Sequence, residues 1–175
     1  MLDSITPATP ADFDAVWQLY VDVCSHMSLD VYDPGWILGV FPCEEDIRSF
    51  TEAGELYVGR TGGRIAAAMV LTHQEDPEHE GVPWPSGAAG EDVCVVHLLC
   101  GHPSLRGHGI GRELIEEAIR LARTAGRKAI HLEVMPGNLA ASRIYLAAGF
   151  SYICNHDVYY EDAGTMTFEM YECVL

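Results

Sequence analysis

Arg106-Gly107-His108-Gly109-Ile110-Gly111 sets three glycines among six residues, between an apolar stretch and an amphipathic one. Missing side chains expose backbone N–H groups, and a helix start adds unpaired N–H groups and the positive end of its dipole. Such a segment is a socket for a phosphate or pyrophosphate. A P-loop is excluded, because no Gly-Lys-Ser/Thr closes the motif. A dinucleotide-binding turn is a second option, with Glu133 near the distance at which that fold keeps an acid for the ribose. It would require glycine where Arg112 stands, and the run from Gly101 to Arg106 is long for so tight a turn.

Other residue types suited to chemistry lie nearby. His97 sits in an apolar strand, and a free imidazole pKa near 6.5 suits proton removal around neutrality. Glu133 and Glu91 are reserve bases acting through water. Asn138 and Tyr145, seven residues apart on one helix, share a face. Cys94, His97, Cys100 and His102 form the densest group of metal-ligand types. Regular alternation puts Cys94, Cys100 and His102 on one face of the strand and His97 on the other, so no metal site is expected there.

These residues need elements to hold them. Ser4-Ile5-Thr6 opens as a short strand, and Thr9-Pro10 caps a helix whose apolar residues run from Phe13 to Cys24. Residues 25–42 are irregular, with Asp33-Pro34-Gly35 as turn chemistry. A second helix covers Cys43 to Ala53 and stops at Gly54. Glu55 to Arg60 and Arg64 to Thr72 form a hairpin around Thr61-Gly62-Gly63. His73 to Asp92 is a long acidic loop with Trp84 between two prolines. Val93 to Leu99 reads as a buried strand. The next helix carries an apolar stripe of Ile110, Leu114, Ile115, Ala118, Leu121, Ala122 and Ala125, and Gly126 caps it. A strand over Ala129 to Val134, a helix capped by Asn138 and ending near Gly149, and strands over Phe150–Tyr159 and Thr165–Cys173 complete the chain. The order β α α β β β α β α β β, with one crossover, predicts an α/β (α+β) fold. It is a single domain over 1–175, its mixed sheet flanked by helices.

The chain has 175 residues, 49% of them hydrophobic and 21% charged, as expected of a globular protein. It carries no apolar run of membrane-spanning length and no signal-peptide pattern at its start, and its six cysteines contain no Cys-x-x-Cys pair. A cytoplasmic location with reduced thiols is the expectation. The net charge of −16 disfavours nucleic acid and favours a cationic partner such as an amine. A polyanionic cofactor then depends on local donors: Arg106, Arg112 and the loop amides.

Arg106-x-x-Gly109-x-Gly111 between strand and helix resembles the pyrophosphate loop of the GCN5-related N-acetyltransferases. Leu99-x-Gly101-x-Pro103 resembles the end of that family's splayed fourth strand. Asn138, Ala141, Tyr145 and Gly149-Phe150 resemble its second cofactor motif, and the element order matches along essentially the whole chain. Gly101 departs from the apolar residue usual there, either letting a pantetheine approach more closely or marking a bulge. The resemblance implies a cytoplasmic enzyme moving the acetyl group of acetyl-CoA directly to a small amine, amino acid or peptide amine, without nucleic acid or membrane. It implies cofactor contacts from Leu99, Cys100, Gly101, Arg106, Gly107, His108, Gly109, Ile110, Gly111, Arg112, Asn138 and Tyr145. Tyr145 would be the general acid toward the CoA thiolate and His97 the base. Tyr32, Asp33, Trp36 and Phe41 would offer the acceptor pocket, with Trp84 on a lid. Dimers are common in that family, so a homodimer is carried as an expectation of the resemblance alone. Two other readings stand beside it: a non-catalytic acyl-CoA sensor on the same fold, and an enzyme using NAD or S-adenosylmethionine.

Overall fold

The computed structural model describes residues 1–27, 34–160 and 164–175. Its elements are β1 (Ser4–Pro7), α1 (Phe13–Met27), α2 (Glu44–Glu52), β2 (Leu56–Thr61), β3 (Arg64–Thr72), β4 (Val93–Gly101), α3 (Ile110–Thr124), β5 (Ala129–Val134), α4 (Leu139–Ala147), β6 (Ser151–Tyr160) and β7 (Gly164–Val174). This is the expected order. Local chemistry explains several boundaries. The Asp12 carboxylate accepts from the Thr9 N–H at 2.9 Å ahead of α1, and Asn138 Oδ1 accepts from the Ala141 N–H at 3.2 Å at the start of α4. Gly62 and Gly63 both take positive φ, as a two-residue hairpin turn requires.

Seven strands form one mixed sheet in the order β1-β2-β3-β4-β5-β7-β6, with β4 and β5 its one parallel pair. One face packs on α3 and α4 through Ile110, Leu114, Ile115, Ala118 and Tyr145. The other packs on α1 and α2 through Val16, Leu19, Tyr20, Val23 and Ile47. Two buried layers on a central sheet are what the apolar runs of β3, β4 and β5 demand.

Two irregularities shape the middle of the sheet. The first is the short pairing of β4 with β5, which runs only from Val93↔Ala129 to Val95↔His131. Beyond it, among the described residues, the edge of β4 that faces β5 has no strand partner up to Gly101. The second is a bulge. Leu98 holds φ at 49°, and the β3–β4 register shifts between Ala68 and Val70. The extra residue reverses the alternation of side chains. Cys94 and Val96 therefore face α3, whereas Leu98 and Cys100 face α1. The expectation that Cys94 and Cys100 share a face fails for this reason, and the four-residue Cys/His group is dispersed.

A left-handed leucine is costly, by about 1–3 kcal/mol, and needs outside support. Buried Tyr20 supplies it, its hydroxyl donating to the Leu98 carbonyl at 3.0 Å. Tyr20→Phe should lose about 1–3 kcal/mol in urea unfolding, because it leaves that carbonyl unsatisfied.

Candidate active site

The cofactor side is built at the C-terminal end of β4. Gly101 is followed by a turn at Pro103–Leu105, the glycine segment, and α3. Gly107 and Gly109 take φ of 77° and 81°, the left-handed region that favours glycine. Gly109 is the N-cap of α3, and regular bonding starts with Glu113 N–H donating to the Gly109 carbonyl at 3.1 Å. The amides of Ile110, Gly111 and Arg112 thus have no intrahelical acceptor and point out of the helix start. Among the side chains, Ile110 is buried. His108 Nδ1 lies 3.0 Å from the Arg106 carbonyl, and the exposed Arg112 donates to Glu116 at 2.7 Å. Main-chain groups dominate this socket.

Gly101 has a packing explanation. A Cβ there would come within 3.0 Å of Ile110 Cγ2, so glycine lets the first residue of α3 close on the end of β4. The bulge lies three residues earlier. Gly111 plays the same part between helices, since its Cβ would stand 3.0 Å from Ile144 Cδ1. Leu99 packs into the α3-side core. Cys100 turns its thiol into the α1-side core, where burial pushes its pKa up to about 12. Leu99, Cys100 and Gly101 can serve a ligand through backbone groups, on the unpaired edge of β4.

Tyr145 projects from α4 into the α3-side core. Its ring packs on Phe150 and Tyr171, with centroids 5.7 and 6.4 Å away, and it is nearly buried. Burial, then the charge of Glu133, holds its phenol proton far above neutral pH. Tyr145 is therefore a neutral donor. Asn138 is occupied as the cap of α4.

His97 differs from the expectation of a base poised near neutrality. Its Nε2 lies 3.1 Å from Asp76 and its Nδ1 3.6 Å from Glu133. Burial opposes the imidazolium, but the hydrogen bonds to Asp76 and Glu133 outweigh it and push the pKa up to about 10. The ring is thus charged at pH 7, with its Nε2–H toward Asp76 and its Nδ1–H toward Glu133. Glu133 is in the gap, whereas Glu91 is not. Glu91 lies two residues before β4, at its opposite end, where it lines a pocket with Glu55, His73, Gln74 and Arg127.

The loop over residues 73–92 lies on the sheet, and its contribution escaped the sequence reading. Trp84 stacks on His131 of β5, with centroids 3.7 Å apart and planes at 11°. His79 reaches Glu75 at 2.8 Å and Glu133 at 3.0 Å, and Ser86 bonds Glu172. Burial disfavours charge on His79, yet its bonds to Glu133 and Glu75 push the pKa up to about 9. The sequence signal was present in the loop's run of acids and in the alternation His131, Glu133 along β5, on the face away from α3. Tyr160, at the end of β6, has its pKa pushed up to about 12, first by burial and then by the charges of Glu133, Glu78 and Asp76. Tyr160 thus lies near Asp76 and Glu133, the two acids that also hold His97.

Of the proposed acceptor residues, Tyr32 and Asp33 lie outside the described residues. Trp36 packs edge-on to Tyr20 at 5.9 Å, and Phe41 is largely exposed. Gly35 lies against Met135 and Met166, which brings this segment over the ends of β5 and β7.

The sheet is thus parted between two parallel strands, with a glycine-capped helix following the end of β4. The chain belongs to the acetyltransferase (GNAT) family, whose model matches residues 15–150. It is 36% identical over 166 residues to an uncharacterized protein of Mycobacterium leprae, a match taking in 93% of this chain and 38% of that protein. It is also 36% identical over 67 residues to an uncharacterized N-acetyltransferase of Methanocaldococcus jannaschii, covering 38% of this chain and 30% of that one. The chain thus matches well under half the length of these relatives. A GNAT-family acetyltransferase of Streptococcus agalactiae superposes with a TM-score of 0.79 at 15% identity, over 100% of this chain and 98% of that one. An acetyltransferase of Salmonella typhimurium solved with its cofactor acetyl-CoA gives 0.69 at 17% identity, over 98% and 93%. At such identities the likeness is one of fold. Among the described residues, no helix is long and apolar enough to cross a membrane.

Proposed function

We propose that the chain is an acetyl-CoA-dependent N-acetyltransferase acting on an amine that carries a second positive charge. The observation that carries the transferase reading is the unpaired edge of β4, which leads to the open N-terminus of α3. In this reading the pyrophosphate rests on the amides from Gly107 to Arg112, and the pantetheine lies along Leu99 to Gly101 as a substitute strand. The amine nitrogen attacks the thioester carbonyl. A C–N bond forms, the C–S bond breaks, and the thiolate takes the Tyr145 proton. The ammonium proton leaves to solvent through water. Burial opposes charge on Glu133, but its bonds to His79 and His97 outweigh it and hold its pKa far below the usual carboxylate range, so it stays ionised and attracts the cationic amine. His97 is a positioning residue whose charge holds that carboxylate in place, replacing the base role expected from sequence.

Local charge supports the acceptor class. The loop over 73–92 contains Glu75, Asp76, Glu78, Glu80, Glu91 and Asp92 and no lysine or arginine. Glu75, Asp76 and Glu133 gather around His79 and His97, whereas Arg106 and Arg112 belong to the glycine segment and the first turn of α3. A cation is drawn to the first group and a polyanion to the second. Mass spectrometry of product formation tests this with amines of equal length ending in ammonium, methyl or carboxylate. The diamine should show a kcat/KM higher by about tenfold or more, an advantage that shrinks with salt. Preference for the carboxylate-ended amine would contradict the proposal.

A further inference from the structure

Beneath Trp84, two histidines and a glutamate converge in a way the transfer reaction does not use. Glu75 and His79 come from the loop, four residues apart, and His131 from β5. His79 Nδ1 and His131 Nδ1 approach the two oxygens of the Glu75 carboxylate at 2.8 and 2.7 Å. The ligating atoms of the three residues all lie within 4.8 Å of one another. Both rings are buried, at 2% and 0% side-chain exposure.

The far sides of the rings are equally ordered. His79 Nε2 meets Glu133 at 3.0 Å, and His131 Nε2 meets Glu172 at 3.1 Å. Glu172 is fixed in turn by the Ser86 hydroxyl. A carboxylate behind each imidazole, with the other nitrogens converging, is the outer-shell arrangement that orients histidine ligands on a metal. All four ring nitrogens face carboxylate oxygens, so every contact is a hydrogen bond only when all four carry hydrogen. A divalent cation in place of the two Nδ1 protons supplies the same charge, and the Nε2–H groups keep Glu133 and Glu172.

We infer that Glu75, His79 and His131 form a binding site for a zinc-class divalent transition metal, which fastens the 73–92 loop to the sheet. Two imidazoles and one carboxylate suit zinc, with a fourth position left for water. Entry is from a surface pocket of about 370 Å³ lined by Glu75, Asp76, His79, Glu80, Val82 and Trp84. The stacked Trp84 forms the apolar wall. The alternative trio of Asp76, His79 and Glu133 offers a single imidazole and is the weaker donor set. The inference does not depend on the transferase reading. Its consequence for that reading is that the metal would hold Asp76, next to Glu75, against His97.

Zinc alone, titrated by calorimetry into chelator-treated full-length protein, tests the site. One equivalent per chain is expected, with affinity reduced about 100-fold in His79→Gln and in Glu75→Gln and about 10–100-fold in Glu172→Gln. His26→Ala, an exposed histidine, should bind as the parent does. Cobalt on the unmodified protein gives a readout independent of folding defects in the variants: visible d–d bands without a thiolate charge-transfer band. The inference is overturned by absence of saturable binding, by unchanged affinity in both His79→Gln and Glu75→Gln, or by a thiolate band, which would move the metal to the cysteines.

Discussion

Tyr145→Phe should lower kcat by about 10²–10³-fold and leave the acetyl-CoA Kd within about threefold of the parent. The phenol is a neutral acid on the α3 side of the sheet that senses the charge of Glu133, and burial keeps it protonated. Phenylalanine fills the same space against Phe150 and Tyr171, so packing survives while the proton donor is lost. A thiolate leaving without that proton raises the barrier for transfer, whereas the bound ground state is nearly untouched. Product mass spectrometry is the appropriate readout, because six free cysteines would disturb thiol-reactive dyes. Equal kcat in the two proteins would remove Tyr145 from the mechanism.

Gly109→Val should weaken acetyl-CoA about 100-fold, equivalent to about 2.7 kcal/mol. At φ of 81° a β-branched residue is strained, and relief of that strain would turn the N-cap and its amides away from the phosphates. No protein atom lies within 4 Å of the added Cβ, so overpacking is not the cause of the loss. Gly62→Ala is the proper control. It too carries a positive φ with open space around it, but it sits in the β2–β3 turn far along the chain from the socket. Its acetyl-CoA affinity, read by calorimetry, should match the parent's even where its unfolding midpoint falls.

The two variants divide the site along a line that also divides what could be read from the sequence. The glycine segment, the stripe on α3 and the Asn138 cap are local features, fixed by backbone conformation and helical period within a few residues. They were legible for that reason, and the element order followed from them. The bulge at Leu98 was not. Nothing in Val93–Gly101 distinguishes a left-handed leucine, and the support for it comes from Tyr20, 78 residues away. That one extra residue separates Cys94 from Cys100. His97 was legible as a residue suited to chemistry, but its charge state was not, since Asp76 and Glu133 reach it from a loop and a neighbouring strand. The same holds for Glu75, His79 and His131. A four-residue spacing within an acidic loop carries little meaning until β5 is placed beneath it.

Gly101 was noticed from the sequence as a departure from an apolar residue, but the contact that explains glycine there could not be read from it. The side chain of Ile110 presses against Gly101 at the entry to α3. The end of β4 is therefore shaped by packing between its own elements.

Titration of acetyl-CoA into the purified chain by calorimetry, with NAD as the control, tests most directly whether the parted strands and the glycine-capped helix form an acyl-CoA site. One site per chain with micromolar affinity for acetyl-CoA is expected, with no measurable heat from NAD. Absence of acetyl-CoA binding, or binding of NAD in its place, would contradict it.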